Sequence, residues 1–204
     1  MLVLNADTGR RLGIEPMYLY AQKFGLGEYT GVEIEESKGT LAGRDSTDWQ
    51  VGNTVSAAIG QSDNAFTPVQ LATYVATIAN NGERLKTHIV DKVTNYERTK
   101  TENRQMLKAT VIAEFQRRIL ILFARRCSEL LRTKTARQII CSVNKVKVAA
   151  KTGTAENSGS DQTTFICYAP YEKPEVAIAV VIEHGAKGRY SMQVAKDLLD
   201  AYFN

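Results

Sequence analysis

The stretch Val146-Lys147-Val148-Ala149-Ala150-Lys151-Thr152-Gly153-Thr154-Ala155 decides the fold of this 204-residue chain. Its apolar residues Val146, Val148 and Ala150 alternate with Lys147 and Ala149, which is the period of a β-strand with one buried face. We therefore predict a strand that buries one face and carries a polar cluster at its end.

That polar cluster has the chemistry of a carboxylate-binding site. Lys151 supplies a fixed cation and Thr152 and Thr154 supply hydroxyl donors, while Gly153 has no Cβ and lets a ligand backbone come close. A Lys-Thr-Gly triplet also recurs by chance, so a solvated lysine at an exposed strand end remains the alternative.

Two further strands are predicted downstream, at Thr164 to Ala169 and Val176 to Glu183, each bounded by turn-rich segments. Three successive strands favour an antiparallel meander. Ser191 is predicted to cap a final helix that lies across the sheet. In this helix the apolar residues recur at helical spacing, at Val194, Leu198, Ala201 and Tyr202.

The first half of the chain reads as helices and loops. A helix is predicted from Ile14 through Phe24, and Thr30 to Ile34 is a short strand candidate. Thr67 before Pro68 predicts the start of a core helix that stops at Asn80, because the hydroxyl can cap the first turn and proline fits there. The polar loop Gly60 to Asn64 should then lie between two helix ends. Thr94 to Asn103 is predicted to be an exposed loop or hairpin tip.

Composition excludes several function classes. The net charge of +4 is concentrated between Phe115 and Cys141, where seven cations accompany one acid, so no chain-wide basic surface for nucleic acid is expected. The three cysteines and two histidines show no zinc-ligand spacing, and we predict neither a metal nor a cofactor. The apolar run Ile119 to Ala124 is too short for a membrane span, and no signal peptide or anchor is recognised.

Several short motifs follow one another along the chain. They are Arg11-Leu12-Gly13-Ile14, Lys23-Phe24-Gly25-Leu26-Gly27, Thr30-Gly31, Ala57-Ala58-Ile59-Gly60-Gln61-Ser62-Asp63-Asn64, Phe66-Thr67-Pro68-Val69-Gln70-Leu71-Ala72, Lys151-Thr152-Gly153-Thr154-Ala155, Tyr168-Ala169-Pro170-Tyr171 and Ile182-Glu183-His184-Gly185. Taken together and in this order, they resemble the transpeptidase domain of class B penicillin-binding proteins of the elongation type. The resemblance implies an α+β fold of the penicillin-binding and serine β-lactamase kind, in which helices pack on an antiparallel sheet, with the chain forming only the C-terminal part of one domain over residues 1–204.

The resemblance also implies a substrate and roles for the site residues. Lys151, Thr152 and Thr154 would hold the terminal carboxylate of a peptidoglycan stem peptide or a β-lactam, and Gly153 would admit the ligand backbone. The Thr154 N–H would donate to the oxyanion. Three residues would shape the pocket from the other side: Gly60, Gln61 and Ser62. The family is anchored in the inner membrane and faces the periplasm or the cell exterior.

The acylating serine of the family is not recognised in this chain. Its Ser-x-x-Lys motif would precede Arg11, yet the residues from Met1 to Thr8 show no resemblance to the family. Two chance matches, Ser142-Val143-Asn144-Lys145 and Ser62-Asp63-Asn64, lie in the wrong context. We therefore expect a ligand-binding fragment that is inactive alone and that could pair with the missing N-terminal part of the domain.

Two interpretations stay open. The Arg-rich segment 107–141 replaces an acidic, glycine-containing stretch of the family, so it is either translated out of frame or a divergent insertion. The chain as a whole is either a transpeptidase fragment or a non-catalytic interaction module built on the same sheet. Nucleic-acid binding by the Arg cluster is a weak third alternative, because aromatic residues suited to base stacking are not interleaved.

Overall fold

The computed structural model describes residues 2–43, 48–104, 109–111, 146–156, 159–185 and 188–204. The predicted class is confirmed, since helices surround an antiparallel sheet. The helices and strands are α1 (Leu2–Leu12), α2 (Ile14–Lys23), α3 (Val51–Ala57), α4 (Pro68–Ala79), β1 (Glu83–Leu85), β2 (Lys92–Thr94), β3 (Thr101–Arg104), β4 (Ala109–Val111), β5 (Ala149–Ala155), β6 (Gln162–Ala169), β7 (Val176–Ile182) and α5 (Arg189–Phe203).

The main sheet is the predicted antiparallel meander, in the order β5-β6-β7. Its register places Thr154 opposite Thr163, and Thr163 opposite Ile182. Within the described part of the chain, β5 and β7 therefore form the two edges of the sheet.

Strand β5 buries both faces, so the prediction of a single buried face is wrong. Val148 and Ala150 pack in one cluster with Leu199 of α5. Ala149 lies in a second cluster with Ile78 of α4. A helix on each side leaves no solvent-exposed face at this end of the strand, and the consecutive apolar run is the sequence signal of such burial.

The final helix lies across the sheet as predicted, but its details differ from the prediction. Gly188 is its N-cap residue, and Ser191 is buried inside the first turn, where its Oγ donates to Gly188 O at 2.9 Å. The predicted stripe faces solvent, because Leu198 is 50% exposed and Leu199 is fully buried. Helical spacing alone cannot tell which of two neighbouring apolar stripes meets the sheet.

The start of the chain forms two helices, of which only α2 is predicted from the sequence. Helix α1 packs against the end of α3, and a Cβ on Gly9 would lie 2.2 Å from the Cβ of Ala58. No side chain fits there. This contact therefore requires glycine at position 9.

Thr30 to Ile34 does not form a strand, and that prediction is wrong. The Glu36 carboxylate accepts hydrogen bonds from Thr30 N at 3.1 Å, Thr30 Oγ1 at 2.8 Å and Gly31 N at 2.8 Å. Because the Glu36 carboxylate takes two backbone N–H groups of this segment, the segment forms a loop instead of pairing with a strand.

Helix α4 starts and ends as predicted. Thr67 Oγ1 accepts from Gln70 N at 3.3 Å, and Gln70 Oε1 accepts from Thr67 N at 3.0 Å, which forms a reciprocal capping box. Asn80 caps the other end. The polar stretch after α4 contains the hairpin of β2 and β3, which agrees with the predicted hairpin tip.

Most of the Arg-rich segment 107–141 lies outside the described residues, and so does the Ser142 to Lys145 match. Of the Arg-rich segment, residues 109–111 are described, as strand β4, which pairs with β1. Over the described ranges, none of the helices combines the length and the apolar character that crossing a bilayer requires.

Candidate ligand-binding site

The Lys151 to Thr154 cluster lies within β5 and not beyond its end, so its position differs from the predicted one. Side chains alternate along a strand. Lys151 and Gly153 therefore share the face of Ala149, toward α4, while Thr152 and Thr154 share the face of Ala150, toward α5. Because neither face collects all four residues, a ligand can reach them together only along the edge of the strand.

The outer edge of β5 carries the backbone groups of the two threonines. Gln61 Nε2 donates to Thr154 O at 3.5 Å, so this carbonyl points away from β6. In an antiparallel strand the N–H and C=O of one residue point to the same side, and the side alternates along the chain. The N–H and C=O groups of Thr152 and Thr154 accordingly line the outer edge.

The Lys151 ammonium group lies at the same edge. Its Nζ donates to Thr152 O at 2.5 Å, and the side chain is partly buried. The contact folds the lysine around its own strand and brings a cation next to the outward N–H groups. A positive charge beside two peptide donors is an arrangement that favours an anion.

Gly153 is not required by the strand itself. A Cβ at this position would lie 3.5 Å from Thr164 Cβ, which is an ordinary van der Waals contact. The protein fold thus tolerates a side chain at position 153, and the absence of one leaves room beside the edge.

The loop between α3 and α4 faces this edge through Gln61. Gly60 has φ +83° and Ser62 has φ +65°, so the chain turns sharply on both sides of Gln61. Asn64 holds the turn, because its Nδ2 donates to Gln61 O at 3.1 Å and its Oδ1 accepts from Ala42 N at 3.0 Å. The structure thus brings Gln61 to β5.

Sequence reasoning did not identify Asn64 as a positioning residue. The residue type could have indicated this role, since asparagine in a polar loop commonly forms hydrogen bonds with nearby backbone groups. Its partner Ala42 lies 22 positions earlier in the chain, however, and only the folded chain shows that contact.

Cys167 lies in the same sheet but is not a nucleophile candidate. It is fully buried in the cluster under α5, and burial raises the pKa of its thiol to about 12. In the described ranges no three His, Cys, Asp or Glu side chains are placed to hold a metal ion.

Residues 3–200 match the family model of the penicillin binding protein transpeptidase domain. The match begins at residue 3, so the prediction that the residues up to Thr8 show no resemblance is wrong. Residues 3–8 lie in α1, which packs with α2 and α3.

The chain is similar to penicillin-binding protein 2A of Bacillus subtilis, with 32% identity over 213 residues that cover 90% of this chain and 28% of the relative. It is 27% identical over 242 residues to the peptidoglycan D,D-transpeptidase MrdA of Acinetobacter baumannii, covering 98% of this chain and 33% of MrdA.

The solved structure of the penicillin-binding protein PBP2 from Helicobacter pylori superposes with a TM-score of 0.83 at 27% identity, covering 99% of this chain and 38% of that one. The transpeptidase fold predicted from the motifs is confirmed by this similarity. The chain spans about a third of the length of these relatives.

Proposed function

This chain belongs to the penicillin-binding protein transpeptidase domain family, and from that premise we propose that it binds the terminal carboxylate of a peptidoglycan stem peptide or of a β-lactam. The observation that carries the proposal is the outer edge of β5, where the Lys151 ammonium group and the outward N–H groups of Thr152 and Thr154 lie together.

Each residue at this edge has a specific part in binding. The Lys151 ammonium group pairs with the ligand carboxylate, and the Thr152 and Thr154 hydroxyls donate to it. Gly153 leaves space for the ligand backbone, and the Thr154 N–H donates to the ligand carbonyl oxygen. Gly60, Gln61 and Ser62 form the opposite wall.

The activity proposed for this chain is ligand binding. Acylation requires a serine activated by a neighbouring base; the Ser-x-x-Lys match from Ser142 to Lys145 lies outside the described residues, and the described residues contain none. In a longer protein with that motif, the same edge would hold the substrate for D,D-transpeptidation during cell-wall synthesis. Such a protein would act outside the cytoplasmic membrane, where peptidoglycan is assembled.

The test measures binding of N-acetyl-D-alanyl-D-alanine to the 204-residue chain by NMR titration, with the C-terminal amide of the same peptide as the uncharged control ligand. Lys151→Ala should weaken binding by roughly ten- to a hundredfold, the loss expected for one charge-assisted hydrogen bond. The native chain should bind the C-terminal amide about as weakly as the Lys151→Ala variant binds the peptide with a free carboxylate.

The matched control is Lys147→Ala, which removes an exposed lysine from the segment just before β5. Lys147 pairs with Glu172 at 2.5 Å, before the start of β5 and so at the other end of the strand from Thr154. This variant should bind like the native chain. Equal loss in both variants, or no loss in Lys151→Ala, would refute the proposal and favour a non-catalytic interaction module.

A further inference from the structure

Two loops at the site end of the sheet are joined by reciprocal contacts between Ser160 and His184. Ser160 Oγ donates to His184 O at 3.2 Å, and His184 Nδ1 lies 3.3 Å from Ser160 O. Since a carbonyl oxygen only accepts, Nδ1 must carry the proton in this contact. Ser160 follows β5 and His184 follows β7, so the pair connects the outgoing loops of both edge strands.

The register of the sheet places this pair next to the proposed carboxylate site. Ser160 comes two residues before Gln162, which pairs with Ala155, the residue after Thr154. His184 comes two residues after Ile182, which pairs with Thr163, and Thr163 pairs with Thr154. The pair therefore lies two to three residue rows beyond Thr154, at the same end of the sheet.

The backbone at His184 is constrained as well as hydrogen-bonded. Its φ is +53°, a conformation that costs free energy for most side chains but that His and Asn adopt more readily. The next residue, Gly185, is buried against Thr163, and a Cβ there would lie 2.5 Å from Thr163 Oγ1. The close approach fixes the backbone of His184 and Gly185 directly after β7, so the His184 ring is directed at Ser160.

We infer that His184 and Ser160 are a positioning pair that fixes the start of β6 and, through the pairing of β6 with β5, the outward N–H of Thr154. His184 contacts no ligand in this role, and it acts by keeping the last residues of β5 in register with β6. The inference rests on the proposed function, because the consequence of this positioning is tighter carboxylate binding at the edge of β5.

Three substitutions separate the hydrogen bond from the backbone conformation. His184→Asn keeps a donor near the position of Nδ1 and tolerates positive φ, so it should behave like the native chain. His184→Gly accepts the backbone conformation but removes the donor. Ser160→Ala removes the hydroxyl donor to His184 O. His88→Gly is the matched control, since among the described residues the His88 ring bonds the nearby Val90 O and nothing in the sheet.

Two measurements are made on each variant of the full chain: amide hydrogen exchange at Ala155 and Gln162, which pair across β5 and β6, and affinity for N-acetyl-D-alanyl-D-alanine. His184→Gly and Ser160→Ala should speed exchange at these amides and weaken binding by roughly tenfold, the effect of losing one to two net hydrogen bonds. His184→Asn and His88→Gly should change neither quantity.

The exchange measurement judges the inference even if the peptide does not bind to the native chain. In that case the proposed function fails, while faster exchange in His184→Gly that His184→Asn restores still supports the positioning pair. Unchanged exchange in His184→Gly and Ser160→Ala overturns the pair. So does a loss in His184→Asn equal to that in His184→Gly, since the hydrogen bond would then not be the cause.

Discussion

Replacing Gln70 by alanine should be among the most destabilising single changes in this chain. The side chain is 1% exposed and makes three hydrogen bonds, two that join α4 to distant loops and one within the N-cap of α4. Its Nε2 donates to Glu28 O at 2.7 Å and to Lys38 O at 2.8 Å, and its Oε1 accepts from Thr67 N at 3.0 Å.

The magnitude follows from the groups left without partners. Gln70→Ala leaves two carbonyls and one N–H unsatisfied, and each buried polar group without a partner costs about 1–3 kcal/mol. Because the loops can relax and admit water, we expect a total loss of about 3–5 kcal/mol in the free energy of unfolding. In a chain of this length that corresponds to a Tm lower by roughly 6–20 °C.

Gln70→Glu tests the geometry more sharply. It keeps an acceptor for Thr67 N but turns a carboxylate oxygen toward the carbonyls of Glu28 and Lys38, so it should destabilise more than Gln70→Ala at pH 7. Protonation of the new carboxyl at low pH restores one donor. The difference in free energy of unfolding between Gln70→Glu and Gln70→Ala should therefore become smaller as the pH falls.

The assay is urea unfolding followed by circular dichroism, with Gln193→Ala as the matched control. Gln193 is an exposed helical glutamine that bonds only Asp197, and its loss should cost less than about 0.5 kcal/mol. The reasoning is refuted if the loss in free energy of unfolding for Gln70→Ala exceeds that for Gln193→Ala by less than about 1 kcal/mol. The hydrogen bonds of Gln70 would then not stabilise the loops.

Three further outcomes are expected. Leu199→Ala should cost about 2–5 kcal/mol and Leu198→Ala under about 1 kcal/mol in urea unfolding, because only Leu199 is buried; equal losses would contradict the helix register. Cys167 should resist iodoacetamide at pH 8 until the chain unfolds, as peptide mass spectrometry can show, because burial raises its thiol pKa to about 12. Burial raises the pKa of Glu36, but the hydrogen bonds that the carboxylate accepts outweigh this effect and hold the pKa below its ordinary 4.5. Glu36→Gln should therefore lower the free energy of unfolding at pH 7, and this loss should shrink as the pH falls below 4.5. Urea unfolding of both chains at pH 7 and at a pH below 4.5 checks this.

The sequence by itself determined the elements whose causes are local. Thr67 and Pro68 supply a cap and a fixed φ within one turn, so the start of α4 is readable without its surroundings. The meander of β5, β6 and β7 is readable because turn residues separate short apolar runs. The ordered motifs likewise indicated the family, and residues 3–200 belong to it.

Tertiary structure alone decided which surfaces these elements present. A repeat of apolar residues shows that α5 is amphipathic, but contact with the sheet selects Leu199 over Leu198. The same holds for the segment from Thr30, where the carboxylate of Glu36 takes the donors that a strand would use.

At the candidate site, too, local sequence indicates the chemistry and tertiary structure decides the orientation. Lys151, Thr152 and Thr154 are recognisable as a carboxylate-binding triplet from their types, but the direction of each backbone group depends on which side of β5 pairs with β6. Gln61 reaches that strand across 93 positions of sequence. Local chemistry can be read from neighbouring residues, whereas the edge that this chemistry faces is set by long-range pairing that no short stretch encodes.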